Sequence, residues 1–363
     1  MKGNRVFRRL SISTLGASGL LLFLVLIFVF FQSHEAVTVK ENPQVISRDG
    51  FWEVYFSNPE GPESDTLRGG PDAQLVEAMD TAQFSIDVAM YHLNLWSVRD
   101  ALIYAHQRGV EVRVITDSAY KDELEILSLQ EAGIQVVEDR RPSLMHHKFV
   151  VIDRDEVWTG SMNMTLNGAY RNDNHLLRLR SKEVAEDYVR EFEEMFVEDR
   201  FGASSLSDTP YPELQINHQK VEVYFSPEDQ VLKRLLEILG EVDRSVEFLA
   251  YALTTDTIGE RLLELHRAGV KVRGVVEQSQ VLATGSETPR LRKAGLDIRL
   301  DTNPSSMHHK VFIVDHEIVL LGSYNFTRSA EEKNDENVII LHDPALASQF
   351  LLEFERIYQA ATP

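Results

Sequence analysis

The chain has 363 residues, 43% of them hydrophobic, enough apolar material for one large domain or two medium ones. It contains no Cys, which excludes disulfide staples, a thiol nucleophile and Cys-ligated zinc. The formal net charge is −20, and setting aside the four basic residues among the first nine leaves −24 on the remainder. Such a charge argues against a broad electrostatic footprint on a long nucleic acid, because affinity there comes largely from neutralising phosphates.

Lys2, Arg5, Arg8 and Arg9 precede LSISTLGASGLLLFLVLIFVFF, residues 10–31, which carries no charge. As a helix this stretch would be roughly 33 Å long, matching the ~30 Å hydrocarbon core of a bilayer. Residues 1–33 therefore read as a cytoplasmic basic flank and a transmembrane signal anchor held in the lipid bilayer through residues 10–31. The positive-inside rule makes this a single-pass membrane protein with its main body on the extracytoplasmic side. The competing reading is a cleaved signal peptide, whose apolar region usually spans ~7–15 residues. No small-x-small cleavage site stands around Gln32–Ala36. Residues 34–50 are polar and mixed, and read as a tether.

The body then repeats itself at an offset of roughly 160 residues. Val54-Tyr55-Phe56-Ser57 returns as Val223-Tyr224-Phe225-Ser226, and Phe84–Tyr91 (FSIDVAMY) as Ser245–Tyr251 (SVEFLAY). His106–Arg113 (HQRGVEVR) returns as His266–Arg273 (HRAGVKVR), and Met145–Lys148 (MHHK) as Met307–Lys310. A period this long marks a duplicated domain and not an array. The first domain is expected over 51–201, a Ser- and Pro-bearing linker over 202–219, and the second domain over 220–363. Within each copy the pattern predicts strands at Glu53–Phe56 and Val221–Phe225, helices at Ala73–Thr81 and Val231–Leu239, and apolar strands at Ser85–Tyr91 and Val246–Tyr251. Helices Val98–Arg108 and Ile258–Arg267 follow, stopped by Gly109 and Gly269, then strands Val110–Thr116 and Val270–Val276. The β–α–β order predicts an α/β fold with a largely parallel sheet in each half. The insertion Asn58–Pro71 has no counterpart in the second copy.

Two segments carry the chemistry: HHKFVVIDRDEVWTGSMN at 146–163 and HHKVFIVDHEIVLLGSYN at 308–325. On a strand, i and i+2 face one side, so His146 and Lys148 point together, as do His308 and Lys310. Asp153 and Asp315 fall where the strand turns and are expected to brace that turn. Ser161 and Ser323 bring a hydroxyl back beside the strand, and Asn163 and Asn325 add side-chain amides. His147 and His309 alternate to the opposite face as packing residues. His106 and His266 close helices, where a cation suits the dipole.

This duplicated HxKx4D and GSxN pattern resembles the phospholipase D superfamily, and the resemblance covers nearly all of residues 51–360. It implies a duplicated α/β/α sandwich of two pseudo-twofold related halves, preceded here by the N-terminal transmembrane helix, with one active site at their interface. It implies a phosphodiesterase acting through a phosphohistidine, with no metal and no cofactor: one neutral imidazole attacks phosphorus and a protonated one opposite serves the leaving alkoxide. Two Lys in the same cavity disfavour a metal cation. The family pattern continues with N-x-E, whose carboxylate orients a catalytic His. Asn334-Asp335-Glu336 keeps it, whereas Asn172-Asp173-Asn174 puts an amide where a carboxylate is expected. Taken half by half, Glu336 would support His308 and Asn174 would support His146, making His308 the expected nucleophile. The substrates to weigh are phospholipid at the membrane surface, with phospholipase D-type hydrolysis or cardiolipin synthase-like phosphatidyl transfer, and nucleic acid cleaved by an endonuclease. An inactive membrane-tethered binding protein is the non-enzymatic reading.

Overall fold

The structure, a computed structural model, describes residues 50–362 and the short strand Val45–Ile46. The basic flank and the apolar span 10–31 lie outside the described residues; among the described residues no helix is long and apolar enough to cross a membrane.

Two eight-stranded sheets carry the fold. In spatial order the first is Val45–Ile46, Trp52–Phe56, His175–Arg180, Glu156–Gly160, Lys148–Ile152, Ser85–Met90, Glu111–Thr116 and Gln135–Glu138. The second repeats it with Glu213–Ile216, Gln219–Ser226, Glu336–His342, Ile318–Gly322, Lys310–Val314, Ser245–Ala250, Lys271–Val276 and Asp297–Leu300. The duplication is therefore matched strand for strand. The expected parallel sheet needs correction: only the last three strands of each sheet run parallel, and the other pairings are antiparallel. The reason is local. At Asp153–Arg154 and Asp315–His316 the chain takes positive φ, a turn that sends each motif strand straight back as a hairpin with no helical crossover.

The tether and the linker are less idle than their composition implies. Val45–Ile46 pairs with Glu53–Val54, and Glu213–Ile216 inside the linker pairs with Gln219–Glu222, so each supplies the edge strand of its sheet. The insertion 58–71 holds the short helix Pro62–Thr66.

Strands buried on both faces explain the unbroken apolar runs. Phe149 and Val151 face a central core with Val311 and Ile313, which also takes Tyr188, Phe192, Phe350 and Phe354 from helices Lys182–Phe196 and Pro344–Ala360. Val150 and Ile152 face instead an outer core under helices Pro71–Thr81 and Trp96–Gln107, and the second half has its own equivalent. Residues 50–362 are thus layered helix, sheet, two central helices, sheet, helix. Gly109 (φ +94°) and Gly269 (φ +89°) end their helices in the left-handed conformation that glycine tolerates.

Candidate active site

The two motif strands begin where the parallel strands end. Met90 pairs with Lys148 and Ala250 with Lys310, placing both motifs at the carboxyl edge where open α/β sheets bind ligands. The halves then exchange backbone. His146 N donates to Asp335 O at 2.9 Å, and His308 N donates to Asp173 O at 2.9 Å, with Ser306–Met307 pairing alongside Asn172–Asp173. Asp117 and Glu277 fasten the approach by accepting from Met145 N (3.0 Å) and Met307 N (2.8 Å).

This exchange overturns the half-by-half assignment of supports. His146 Nδ1 meets Glu336 Oε2 at 2.7 Å, across the interface, and His308 Nδ1 meets Asn174 Oδ1 at 3.0 Å and Ser161 O at 3.0 Å. The carboxylate stands behind the first motif's histidine and the amide behind the second's. Asp173 does not substitute: its carboxylate is taken by Arg356 (2.5 Å) and Asn303 Nδ2 (2.7 Å).

Each orienting group is itself held. Ser323 Oγ donates to Glu336 Oε2 at 2.7 Å, and Ser161 Oγ donates to Asn174 Oδ1 at 2.9 Å. Asn174 Nδ2 donates to Gly168 O at 2.9 Å, which aims its oxygen at His308. The motif glycines permit this closeness. A Cβ at Gly160 (φ +154°) would lie 2.4 Å from His175 O, and one at Gly322 (φ +152°) would lie 2.1 Å from Asn337 O.

Lys148 Nζ donates to His146 O at 2.8 Å and Lys310 Nζ to His308 O at 2.7 Å, each ammonium also lying over a tyrosine ring, Tyr91 at 5.0 Å and Tyr251 at 4.8 Å. The same rings pack edge-on against His146 (4.8 Å) and His308 (4.9 Å). Asn163 and Asn325 each keep a buried side-chain oxygen without a partner among the described residues, so neither amide is fully engaged by the fold. Beside Asn163 opens a 510 Å³ cleft lined also by His92, Glu123 and Arg171.

The charges in this hollow are forced close and kept dry. Burial, then Lys148 and Lys310, depress His146 well below the ordinary histidine range. Burial, Lys310, Lys148 and His146 do the same to His308, placing all four groups within one another's field. Burial lowers Lys148 to about 7, against the pull of Glu336, and raises Glu336 to about 7 against Lys148. Two lysines and two histidines against one carboxylate make a site whose chemistry suits an anion.

At the far end of each strand, Asp153 accepts from Gln83, Phe84 and Ser85 N–H (2.9, 2.6 and 3.1 Å), and Asp315 accepts from Asp243, Arg244 and Ser245 N–H (3.0, 2.7 and 2.9 Å). Both are remote from the imidazoles and act on the hairpin. His147 and His309 lie on the opposite face, buried against Glu191 (2.8 Å) and Glu353 (3.2 Å). Sequence reasoning missed Tyr91, Tyr251, Asp117 and Glu277, although the tyrosines stand in the quoted repeats and could have been found there.

The family described as cardiolipin synthase, PLD-like domain matches residues 75–196 and 235–358. Mitochondrial cardiolipin hydrolase of Chlamydomonas reinhardtii is 38% identical over 127 residues, 35% of this chain and 57% of that protein, so the chain spans little more than half that relative's length. Phospholipase D of Rickettsia prowazekii (strain Madrid E) is 31% identical over 42% of this chain and 74% of its own. Among solved structures, phosphatidylserine synthase of Haemophilus influenzae Rd KW20 shares the fold, with a TM-score of 0.61 at 15% identity over 80% of this chain and 84% of that one. With both motif copies inside the matched segments and each motif histidine bonded to a group of the other half, the chain belongs to the phospholipase D superfamily of PLD-like domains.

Proposed function

We propose that the protein is a phosphodiesterase that acts through a phosphohistidine, with His146 as nucleophile and His308 as general acid and base. The observation that carries the roles is the crossed support. A carboxylate on Nδ1–H stabilises positive charge on the ring, so Glu336 favours attack by Nε2 of His146 and the phosphoimidazolium that follows. The amide behind His308 stabilises imidazolium less, which makes protonated His308 the stronger acid. This reverses the nucleophile expected from the sequence.

In the first step the P–N bond to His146 forms as the P–O bond to the leaving group breaks, and the His308 proton goes to the departing oxygen. In the second, His308 takes a proton from water, whose oxygen attacks phosphorus, breaks the P–N bond and frees His146. Lys148, Lys310, Asn163 and Asn325 hold the equatorial oxygens where a metal acts in other phosphoryl-transfer sites. Two ammonium groups sharing that hollow oppose a bound cation.

The substrate read here is phospholipid, cleaved at the head group. The similar cardiolipin hydrolase and phospholipase D support it, and so does the apolar segment 10–31, which as a signal anchor would hold the catalytic body beside lipid on the extracytoplasmic side. The test offers the protein phospholipid vesicles and single-stranded DNA side by side in excess chelator. Head-group release with DNA left intact is expected. Preferential DNA cleavage refutes the lipid assignment, and loss of all turnover on chelation refutes the metal-free site.

A further inference from the structure

Among the described residues the most exposed large apolar side chains are Leu282 (92%), Leu124 (74%) and Phe84 (72%). A single exposed leucine is ordinary on a protein surface, but these two leucines share a place in the duplicated fold. Each follows the end of a parallel strand, Glu111–Thr116 or Lys271–Val276, and then a short turn, Ser118–Tyr120 or Gln278–Gln280. Phe84 lies at the opposite edge of its sheet, where its N–H donates to Asp153.

Both turns reach the active site. Tyr120 packs edge-on against Tyr91 (5.0 Å), which packs against His146 (4.8 Å). Gln280 Nε2 donates to Tyr251 Oη at 3.4 Å, and Tyr251 packs against His308 (4.9 Å). Burial, then Tyr120, Asp117 and Tyr251, push Tyr91 above the ordinary tyrosine range, so the two rings lie within one another's field. The leucine-bearing segments therefore flank one site, one from each half. Trp96, 41% exposed, opens helix Trp96–Gln107, and one turn later Arg99 reaches Glu125 at 3.8 Å, setting the first turns of these two helices side by side.

Charge narrows what can cover this face. The chain carries −20, yet residues 278–286 (QSQVLATGS) carry no charge at all. Around Leu124, Glu123 pairs with His92 (3.2 Å), Glu125 with Arg99 (3.8 Å) and Lys121 with Glu138 (3.7 Å), and Asp122 is the remaining charged side chain of that turn. Apolar tips without a cationic cluster suit neutral, zwitterionic lipid, because anionic lipid is held by lysine and arginine. Read as a signal anchor, residues 10–31 leave residues 32–44 as the link to Val45, ~45 Å at full extension, which keeps the body beside lipid.

We propose that the Leu282 turn, with Leu124 and Trp96, is a docking face that dips into a zwitterionic bilayer and seats the active site on the head groups. The proposal rests on the phospholipid reading of the substrate. The leucines contribute by removing apolar area from water, and Trp96 by the preference of its ring for the interface.

The chain has no Cys, so one introduced cysteine carries one label. The full chain is reconstituted in phosphatidylcholine vesicles with a fluorophore at Leu282→Cys, Leu124→Cys or Phe84→Cys. Labels at 282 and 124 should be quenched by nitroxide-bearing acyl chains and shielded from iodide, at low and high salt alike, and the label at 84 should behave the opposite way. Iodide quenching at 282 and 124 overturns the proposal, and so does contact between labels of two copies, which makes the face a dimer contact. In the same vesicles, Leu124→Asp combined with Leu282→Asp should lower head-group release about 10-fold and leave turnover of a soluble aryl phosphodiester within about twofold. A loss on both substrates alike, or on neither, defeats the docking face and leaves the phospholipid reading standing. An unaltered chain that cleaves the aryl ester but no vesicle lipid defeats that reading, and the labels still decide whether the face meets the bilayer.

Discussion

The two halves share strand order, helix placement and motif spacing, yet they equip their histidines differently. His146 has a carboxylate 2.7 Å away, whereas His308 has an amide oxygen and a main-chain carbonyl, each at 3.0 Å. A near-symmetric scaffold thus sets two imidazoles and two lysines within one another's field, and an amide in place of an acid is one difference between their supports. The lesson is that duplication supplies the geometry, while the two histidines are distinguished by the groups one bond further out. Those groups are lent by the opposite half, so each half's chemistry is set by its partner's sequence.

The sharpest way to break this comparison is to vary the leaving group. His146→Asn should abolish turnover of alkyl and aryl phosphodiesters alike. His308→Asn should slow the first-turnover release of an alkyl leaving group about 10²–10⁴-fold but that of an aryl group far less, because the aryl group departs without a proton, whereas breakdown of the phosphohistidine should slow equally with both. Equal losses in that first release on both esters for His308→Asn would exchange the assigned roles.

Next in size is the pH response. Glu336, raised to about 7 by burial, must be ionised to support His146, so kcat/KM should fall as pH drops below about 7. Lys148, lowered to about 7 by burial, must be protonated to hold the phosphate, so kcat/KM should also fall as pH rises above it. The expected profile is a narrow bell. Glu336→Gln should lower its height by about 10²-fold and remove the acid limb, and Lys148→Arg should flatten the alkaline limb, because guanidinium stays charged. A profile whose acid limb survives Glu336→Gln assigns that limb elsewhere.

The smallest effect concerns stability. Asp153→Ala and Asp315→Ala each take the acceptor from three backbone N–H groups that lead into the neighbouring strand, and each should cost about 2 kcal/mol in denaturant unfolding. Asp315 is held below the usual carboxylate range: burial opposes this, but the N–H bonds of Asp243, Ser245 and Arg244 prevail. Its contribution is therefore full above the unfolded pKa and is lost as pH falls through the folded one. Activity at neutral pH in the surviving folded fraction should be unchanged.

Much of this architecture was legible in the sequence. Residues recurring at a fixed offset announced the duplication, apolar runs located the buried strands, and Gly109 and Gly269 marked helix ends. His146, Lys148, His308 and Lys310, paired by strand alternation in the sequence, lie within one another's field, although the motif strands start only at Lys148 and Lys310. The pairing of Glu336 with His146 was not legible, because 190 residues separate them while Glu336 lies close behind His308 in the chain. Only the crossing of Met145–His146 against Asp335, and of Met307–His308 against Asp173, brings the distant partner nearer than the adjacent one. The antiparallel hairpins were missed for a related reason: strand order along the chain does not state which neighbour each strand takes.

The reciprocal bridges also set a timetable for biosynthesis. His146 leaves the ribosome 190 residues ahead of Glu336, so its ring lacks this carboxylate until the second motif has been made. A polypeptide that stops short of Glu336 therefore carries the complete first motif without the carboxylate at His146 Nδ1.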